Sequence, residues 1–313
     1  MAQVVGFEDV RDARVRKTGR SGKNYWRTSF VTPQGDDDPQ AYLIENSPDM
    51  TIASHFHDVD QFQIFVRGEG SLGRTAVAPI SVHFARAFTT YGPIESRGEG
   101  LAWMTLRPRR DLGAKMIDTH RETLERNIAR KPWQTTIPAR FPVPGTASGA
   151  GRSAEVLKGD YGLSAIAFVL LPGEIATASD PSASPCQYIL VTRGSLIHEG
   201  TERPALTVVH VPPTDAAFQL RAGPQGLECL VLDFPDPDAA NVASTGAAAA
   251  AGASLDAGAA ADEVWHCALC GFVYDPAEGL PADGIPAGTP WSAVPEDFRC
   301  PDCAATKADF SPL

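Results

Sequence analysis

Short runs of β-branched and aromatic residues punctuate the first 235 positions of the chain, set between breaks of Gly, Pro and Asp. They fall at Gln61 to Val66, Ile80 to Phe84, Trp103 to Leu106, Leu163 to Leu171, Tyr188 to Thr192, Leu206 to Val211 and Cys229 to Phe234. Runs of this length and spacing predict the strands of a sandwich or barrel. Leu, Met and Ile at mixed three- and four-residue intervals predict one helix between Leu112 and Ala129. The pattern also repeats. Gln61-Phe-Gln-Ile-Phe-Val-Arg-Gly68 matches Gln187-Tyr-Ile-Leu-Val-Thr-Arg-Gly194, and Gly100-Leu-Ala-Trp-Met-Thr-Leu106 matches Gly226-Leu-Glu-Cys-Leu-Val-Leu232. Both pairs lie 126 residues apart, so two copies of one β-unit are expected.

The segment from Asp236 to Asp262 is mostly Ala, Gly and small polar residues and has almost no large apolar side chain to bury. It reads as a linker with a reach on the order of 25–30 Å. The expected organisation is a first β-unit over 1–110, a connection over 111–150, a second β-unit over 151–235, the linker over 236–262 and a small unit over 263–313.

Charge sharpens this division. The chain carries −11 over 313 residues. Nine acidic residues from Asp262 to Asp309 face only Arg299 and Lys307, so the last unit holds most of that charge. An acidic unit of this kind is steered toward a basic docking face. No basic stripe suggests nucleic acid. No run approaches the ~20 apolar residues of a membrane span, and the N-terminus lacks a secretory pattern. Only Cys186 and Cys229 lie outside the last unit, which fits a reducing cytoplasm.

The last unit holds Cys267-Ala-Leu-Cys270 and Cys300-Pro-Asp-Cys303. Two C-x-x-C pairs supply four thiolates to one tetrahedral ion, zinc or iron by residue type alone. The interval between the pairs is longer than the roughly 15–20 residues of a common zinc ribbon. Around the pairs stand Gly271, Tyr274-Asp275-Pro276, Gly279, Gly284-Ile285-Pro286, Pro295-Glu296-Asp297-Phe298, Lys307 and Phe310. This run, from about Glu263 onward, resembles rubredoxin. The resemblance implies one iron on Cys267, Cys270, Cys300 and Cys303, single-electron transfer, and a flavin-dependent NAD(P)H rubredoxin reductase as partner. Trp265, Tyr274, Trp291, Phe298 and Phe310 fall where rubredoxins place their aromatic core. Ala304 stands where a glycine is usual and Phe298 where a tryptophan is, and the first departure bears on the potential.

In the first β-unit, His55-Phe-His57 precedes Gln61 and Gly68. On a strand, His55 and His57 point the same way, so both can face a barrel interior. The spacing resembles the first cupin motif, with Gln61 in the glutamate position. Thr90-Tyr-Gly92-Pro-Ile-Glu95 fits the spacing of the second motif, with Glu95 at its histidine; His83 is another candidate. The resemblance implies a mostly β fold, a double-stranded β-helix bicupin of jelly-roll type ahead of the small iron-binding unit. It also implies iron or another divalent metal on His55 and His57, with Gln61 and Glu95 completing a catalytic set. Two histidines, an amide and a carboxylate suit a non-haem iron oxygenase. In the second unit the matching positions are Pro181 and Ala183, so that half is expected to bind no metal.

There is no Walker loop, no G-x-G-x-x-G that opens a helix and no G-x-S-x-G elbow, so electrons must come from a separate protein. The favoured expectation is a mononuclear non-haem iron oxygenase whose fused rubredoxin delivers single electrons to a cupin metal acting on a small organic substrate. The alternative is an electron-transfer protein whose bicupin half binds a ligand or partner without chemistry. Cupins often dimerise, so a homodimer is compatible with either.

Overall fold

The computed structural model describes residues 1–19, 22–127, 132–143, 151–236 and 263–313. Among these, two large antiparallel sheets carry the first 236 positions. The first runs Gln134–Pro138, Ser81–Ala85, Gln61–Leu72, Ile94–Arg107, Gln40–Asn46, Asn24–Val31 and Val15–Thr18. The second runs Gln3–Val5, Val208–Val211, Gln187–His198, Gln219–Asp233, Ser164–Leu170 and Arg152–Lys158. All seven expected strand segments lie in or overlap these strands.

The internal repeat is a repeat of structure. Gln63 pairs with Thr105 as Ile189 pairs with Val231, and Gln61 with Ala85 as Gln187 with Val211. The invariant feature is a pair of glycines. A Cβ on Gly68 would sit 2.0 Å from Gly100 O, and one on Gly194 would sit 2.2 Å from Gly226 O. Both Gly68 and Gly194 have positive φ, so only glycine meets the space and the backbone together.

Strand alternation assigns each face. Phe62, Ile64, Met104 and Leu106 point between the sheets and meet Tyr188, Leu190, Leu230 and Phe234 in one core. Phe62 and Phe234 stack edge to face with centroids 5.0 Å apart. The opposite faces look into separate interiors. Tyr42, Phe65, Tyr91, Ile94 and Trp103 fill part of the first, and Ile189, Val191, Val209, Cys229 and Val231 fill the second.

Some boundaries differ from those read in the sequence. Gln3–Val5 crosses over to pair with Val208–Val211 of the second sheet, and Gln134–Pro138, from the expected connection, closes the edge of the first. The expected helix begins later, at Ile117, and runs to Glu125. Gly113 takes φ +131, a conformation outside the helical range, and donates its N–H to Asp111 Oδ2, so the chain first forms the strand Lys115–Met116. Residues 128–129 and nearly all of the expected linker lie outside the described residues.

Residues 263–313 form a three-stranded sheet, Val273–Tyr274, Trp265–Cys267 and Phe310–Pro312. Trp291 lies at its centre, stacked on Trp265 at 5.1 Å and within 4.6 Å of Phe310 and 5.6 Å of Phe298. Tyr274 packs on the same ring and donates its hydroxyl to Thr289 O at 2.6 Å. No helix among the described residues is long and apolar enough to cross a membrane.

Candidate redox site: four cysteines seated on a polar barrel

Two matching turns bring the four cysteines together. Gly271 N donates to Cys267 O and Ala304 N to Cys300 O; Cys267 N donates to Phe272 O and Cys300 N to Ala305 O. The residue after each second cysteine takes a positive φ, +81 at Gly271 and +61 at Ala304. Ala304 therefore holds the left-handed conformation that glycine holds in the first turn, at a cost of about 1–2 kcal/mol. The four Sγ atoms lie within 4.8 Å of one another. Cys267 and Cys303 are 3.7 Å apart and Cys270 and Cys300 3.5 Å. A tetrahedron with metal–sulfur bonds of about 2.3 Å has edges of about 3.8 Å, so the donor set fits a single thiolate-bound ion.

This cluster is not free-standing. Thr90 N, in the first barrel, donates to Leu269 O at 2.8 Å, and Leu269 lies between Cys267 and Cys270. Phe56 and Leu124 of the barrel share one core with the four cysteines, Leu269 and Phe298. A Cβ on Gly73 would approach Asp302 Cα at 3.2 Å, and one on Gly271 would meet Pro132 O at 2.6 Å. Ion pairs flank the contact: Arg121 Nη1 to Asp309 at 2.5 Å and Arg74 Nη1 to Asp283 at 3.0 Å, with Arg74 also over the Phe272 ring. Part of the charge expected to steer the acidic unit toward a reductase thus meets basic residues of its own chain.

Phe56 lies between His55 and His57, whose side chains point into the barrel. Ala53 O accepts from His55 Nδ1 at 2.8 Å, so its Nε2 accepts from the Tyr91 hydroxyl at 3.1 Å. Asp111 Oδ2 accepts from His57 Nδ1 at 2.8 Å, leaving His57 Nε2 facing Arg107 Nη2 at 3.2 Å. Gln61 Nε2 donates to Tyr91 Oη, and Gln61 Oε1 accepts twice from Arg107, at 2.8 and 3.1 Å. Arg107 also reaches Gln40 and Asp111. The network is buried, and that sets its protonation. Burial, with Arg107 close by, lowers His55 to about 4 and His57 to about 3, so both are neutral at pH 7. Burial lowers His83 to about 3 and raises the Tyr91 phenol well above its ordinary range. Burial opposes ionisation of Asp111, but the His57 hydrogen bond and the charge of Arg107 outweigh it.

The four residues expected to form the catalytic set do not converge. His55, His57 and Gln61 meet around Tyr91 and Arg107. Glu95 does not join them; it lies next to inward-facing Ile94, so strand alternation turns it outward, toward Ser71 and Arg97. Among the described residues, the four cysteines are the group of three or more His, Cys, Asp and Glu donors that comes together. The Nε2 lone pairs of both histidines and the Gln61 oxygen already accept hydrogen bonds, and the Arg107 charge stands where a cation would lie. As placed, this set does not fit a metal ion. His83 bonds Thr136 through Nδ1 and lies 5.0 Å from the Tyr91 ring, its Nε2 buried without a partner.

Arg107 and Asp111 carry no signal of their own in the sequence, and Tyr91 reads there as lining or core rather than as a polar partner of the histidines. The repeat offers one for Arg107, since it stands 126 residues before Asp233. In the second barrel Gln187 donates to Asp233 at 2.8 Å, the counterpart of the Gln61–Arg107 pair with polarity reversed. Burial raises the thiols of Cys186 and Cys229, which act as apolar filler.

The comparisons agree with the two halves of this description. The profile of the rubredoxin family matches residues 264–310. Rubredoxin-1 of Alcanivorax borkumensis is 61% identical over 46 residues, 15% of this chain and 85% of that protein. Rubredoxin-2 of Pseudomonas aeruginosa is 59% identical over 46 residues, covering 84% of its length. A solved structure from Nostoc punctiforme, provisionally assigned as a dioxygenase, aligns over 76% of this chain and 84% of its own, with a TM-score of 0.51 and 12% identity. That likeness bears on the fold alone. The protein is a double β-barrel joined to a four-cysteine iron unit of the electron-transfer class. Through residues 264–310 the chain belongs to the rubredoxin family.

Proposed function

We propose that the chain is an iron-dependent oxidoreductase in which the rubredoxin unit passes single electrons to an oxygen-using reaction in the first barrel. The supporting observation is the seat of the cysteine turns on the barrel wall. Leu269 O accepts from Thr90 N, and the next residue, Tyr91, reaches the histidines. The iron supplies one-electron redox change when bound. A separate flavin-dependent reductase refills it from NAD(P)H. Insertion of one oxygen atom into an organic substrate consumes two electrons and two protons and releases water, so the carrier delivers twice per turnover. His55 and His57, neutral and beside the cavity, are the residues placed to exchange protons with a substrate.

A second reading has its own support. The committed lone pairs of His55, His57 and Gln61 favour a barrel that binds a ligand without chemistry, on an electron-transfer protein.

Metal content per chain, on the full protein and on a form ending at Phe234, separates the readings together with the reoxidation rate of the reduced iron in air. Reoxidation slowed at least tenfold by joint His55→Ala and His57→Ala supports the oxygenase. Iron confined to the tail, with reoxidation indifferent to the histidines, removes it.

A further inference from the structure

The first barrel holds a cavity of about 510 Å³, open at one side. This lies within the size range of small-molecule sites. Its wall is mostly apolar, with Ile44, Ile52, Ile94, Met50 and Trp103, and no Asp or Glu side chain among the described residues lines it. Among the described residues, two guanidinium groups do. All five donors of Arg107 are used on Gln61, Gln40, Asp111 and His57, and Asp111 offsets its charge. Arg27 differs. It lies 3.8 Å over the Tyr42 ring, and its Nε is buried without a hydrogen-bond partner. Facing the same space, Gln63 is 4% exposed and its Oε1 has no partner. A buried donor on a cation and a buried acceptor, both unpaired, each cost free energy until something bonds them.

The second barrel is an internal control. Where the first has Gln63, Thr105 and His83, the second has Ile189, Val231 and Val209, packed into an apolar core. The fold does not need polar groups at these places.

We propose that this cavity binds a small organic carboxylate with an apolar, ring-sized body and one hydroxyl or N–H donor. The carboxylate pairs with Arg27, the donor meets Gln63 Oε1, and the body lies against Trp103 and the aliphatic wall. This names the substrate class for the oxidoreductase proposed above and rests on that reading only for the word substrate; binding is separate from turnover.

The test uses the full-length oxidised protein, without reductase. Binding of 4-hydroxybenzoate is measured by titration calorimetry beside its neutral counterpart 4-hydroxybenzamide and benzoate, which lacks the donor. The expected order is 4-hydroxybenzoate, then benzoate, with the amide at least tenfold weaker than the acid. Arg27→Lys keeps the preference for the anion and Arg27→Met removes it, the rubredoxin spectrum and barrel melting transition of each variant reporting that it is folded. Absence of binding by all three probes, or equal affinity for acid and amide, overturns the proposal. Binding without faster reoxidation of the reduced iron supports the site while counting against the electron-delivery reading.

Discussion

Thr90 and Leu269 share a 2.8 Å backbone hydrogen bond that joins the loop between the cysteines to the wall of the barrel. On one side of it lie Cys267 and Cys270; on the other, Tyr91 touches His55 and Gln61 through its hydroxyl. The iron site and the polar network are therefore one peptide link apart on each side of a single hydrogen bond.

This seating is held by apolar packing more than by charge. Arg121 and Arg74 are 41% and 38% exposed, so each pair contributes at most about 1 kcal/mol. Reversing both, Arg74→Glu with Arg121→Glu, replaces attraction by repulsion. Hydrogen exchange at the Thr90 amide should quicken by about tenfold, and more at low salt. An unchanged rate would show that the ion pairs do not hold the contact.

Arg107 is 2% exposed and Asp111 is fully buried. Arg107→Met leaves Asp111 without its cation and Gln61 and Gln40 without their donor. Loss of one partner of a buried pair costs about 3–5 kcal/mol. The barrel melting transition should fall sharply, while Arg107→Met combined with Asp111→Asn recovers a large part. Chemical denaturation of the single and double variants reads this directly.

Tyr91→Phe removes the hydroxyl that His55 Nε2 and Gln61 Nε2 both meet. Two buried polar atoms lose their partner, at about 1–3 kcal/mol each. The variant should melt lower yet keep its rubredoxin spectrum, since the ring and the Thr90–Leu269 bond remain. A melt equal to that of the parent would mean that the hydroxyl is not so bonded.

Acid should destabilise the first barrel before it reaches carboxylate range. His55, His57 and His83 have folded pKa values of about 4, 3 and 3 against 6.5 for an exposed histidine. Between these limits the unfolded chain binds protons that the folded chain refuses, so stability falls as pH drops from about 6.5 toward 4. Above pH 7 these groups give no slope. Melting temperature measured from pH 8 to 5 should be flat and then fall; a flat profile throughout contradicts neutral burial of the three rings.

The two levels of structure differ in how they show in the sequence. The cysteine pairs, the strand runs and the Gly68/Gly100 and Gly194/Gly226 pairs are local or periodic, because geometry within a few residues imposes them. His55 and His57 were legible for the same reason. The partners that define the barrel site were not. Tyr91, Arg107 and Asp111 meet His57 only after strands distant in sequence close the barrel, and no spacing rule reports such a contact. Glu95 fitted a spacing but failed a parity: with Ile94 facing inward, its neighbour has to face out. The contact between Phe56 and the cysteine unit was also hidden, since a phenylalanine between two histidines reads as ordinary strand packing.

The four cysteines are at most 3% exposed, and the turns that carry them rest on Thr90, Phe56 and Pro132. An electron carrier has one short side, the one where its sulfurs come nearest the surface, and here part of that side is covered by the barrel. On the proposed reading, a reductase meets instead the surface the barrel leaves free, where Glu278, Glu296 and Asp297 are exposed. On that reading, loading and unloading use different surfaces of the same small unit, and traffic through it has a direction set by architecture before any difference in potential is considered.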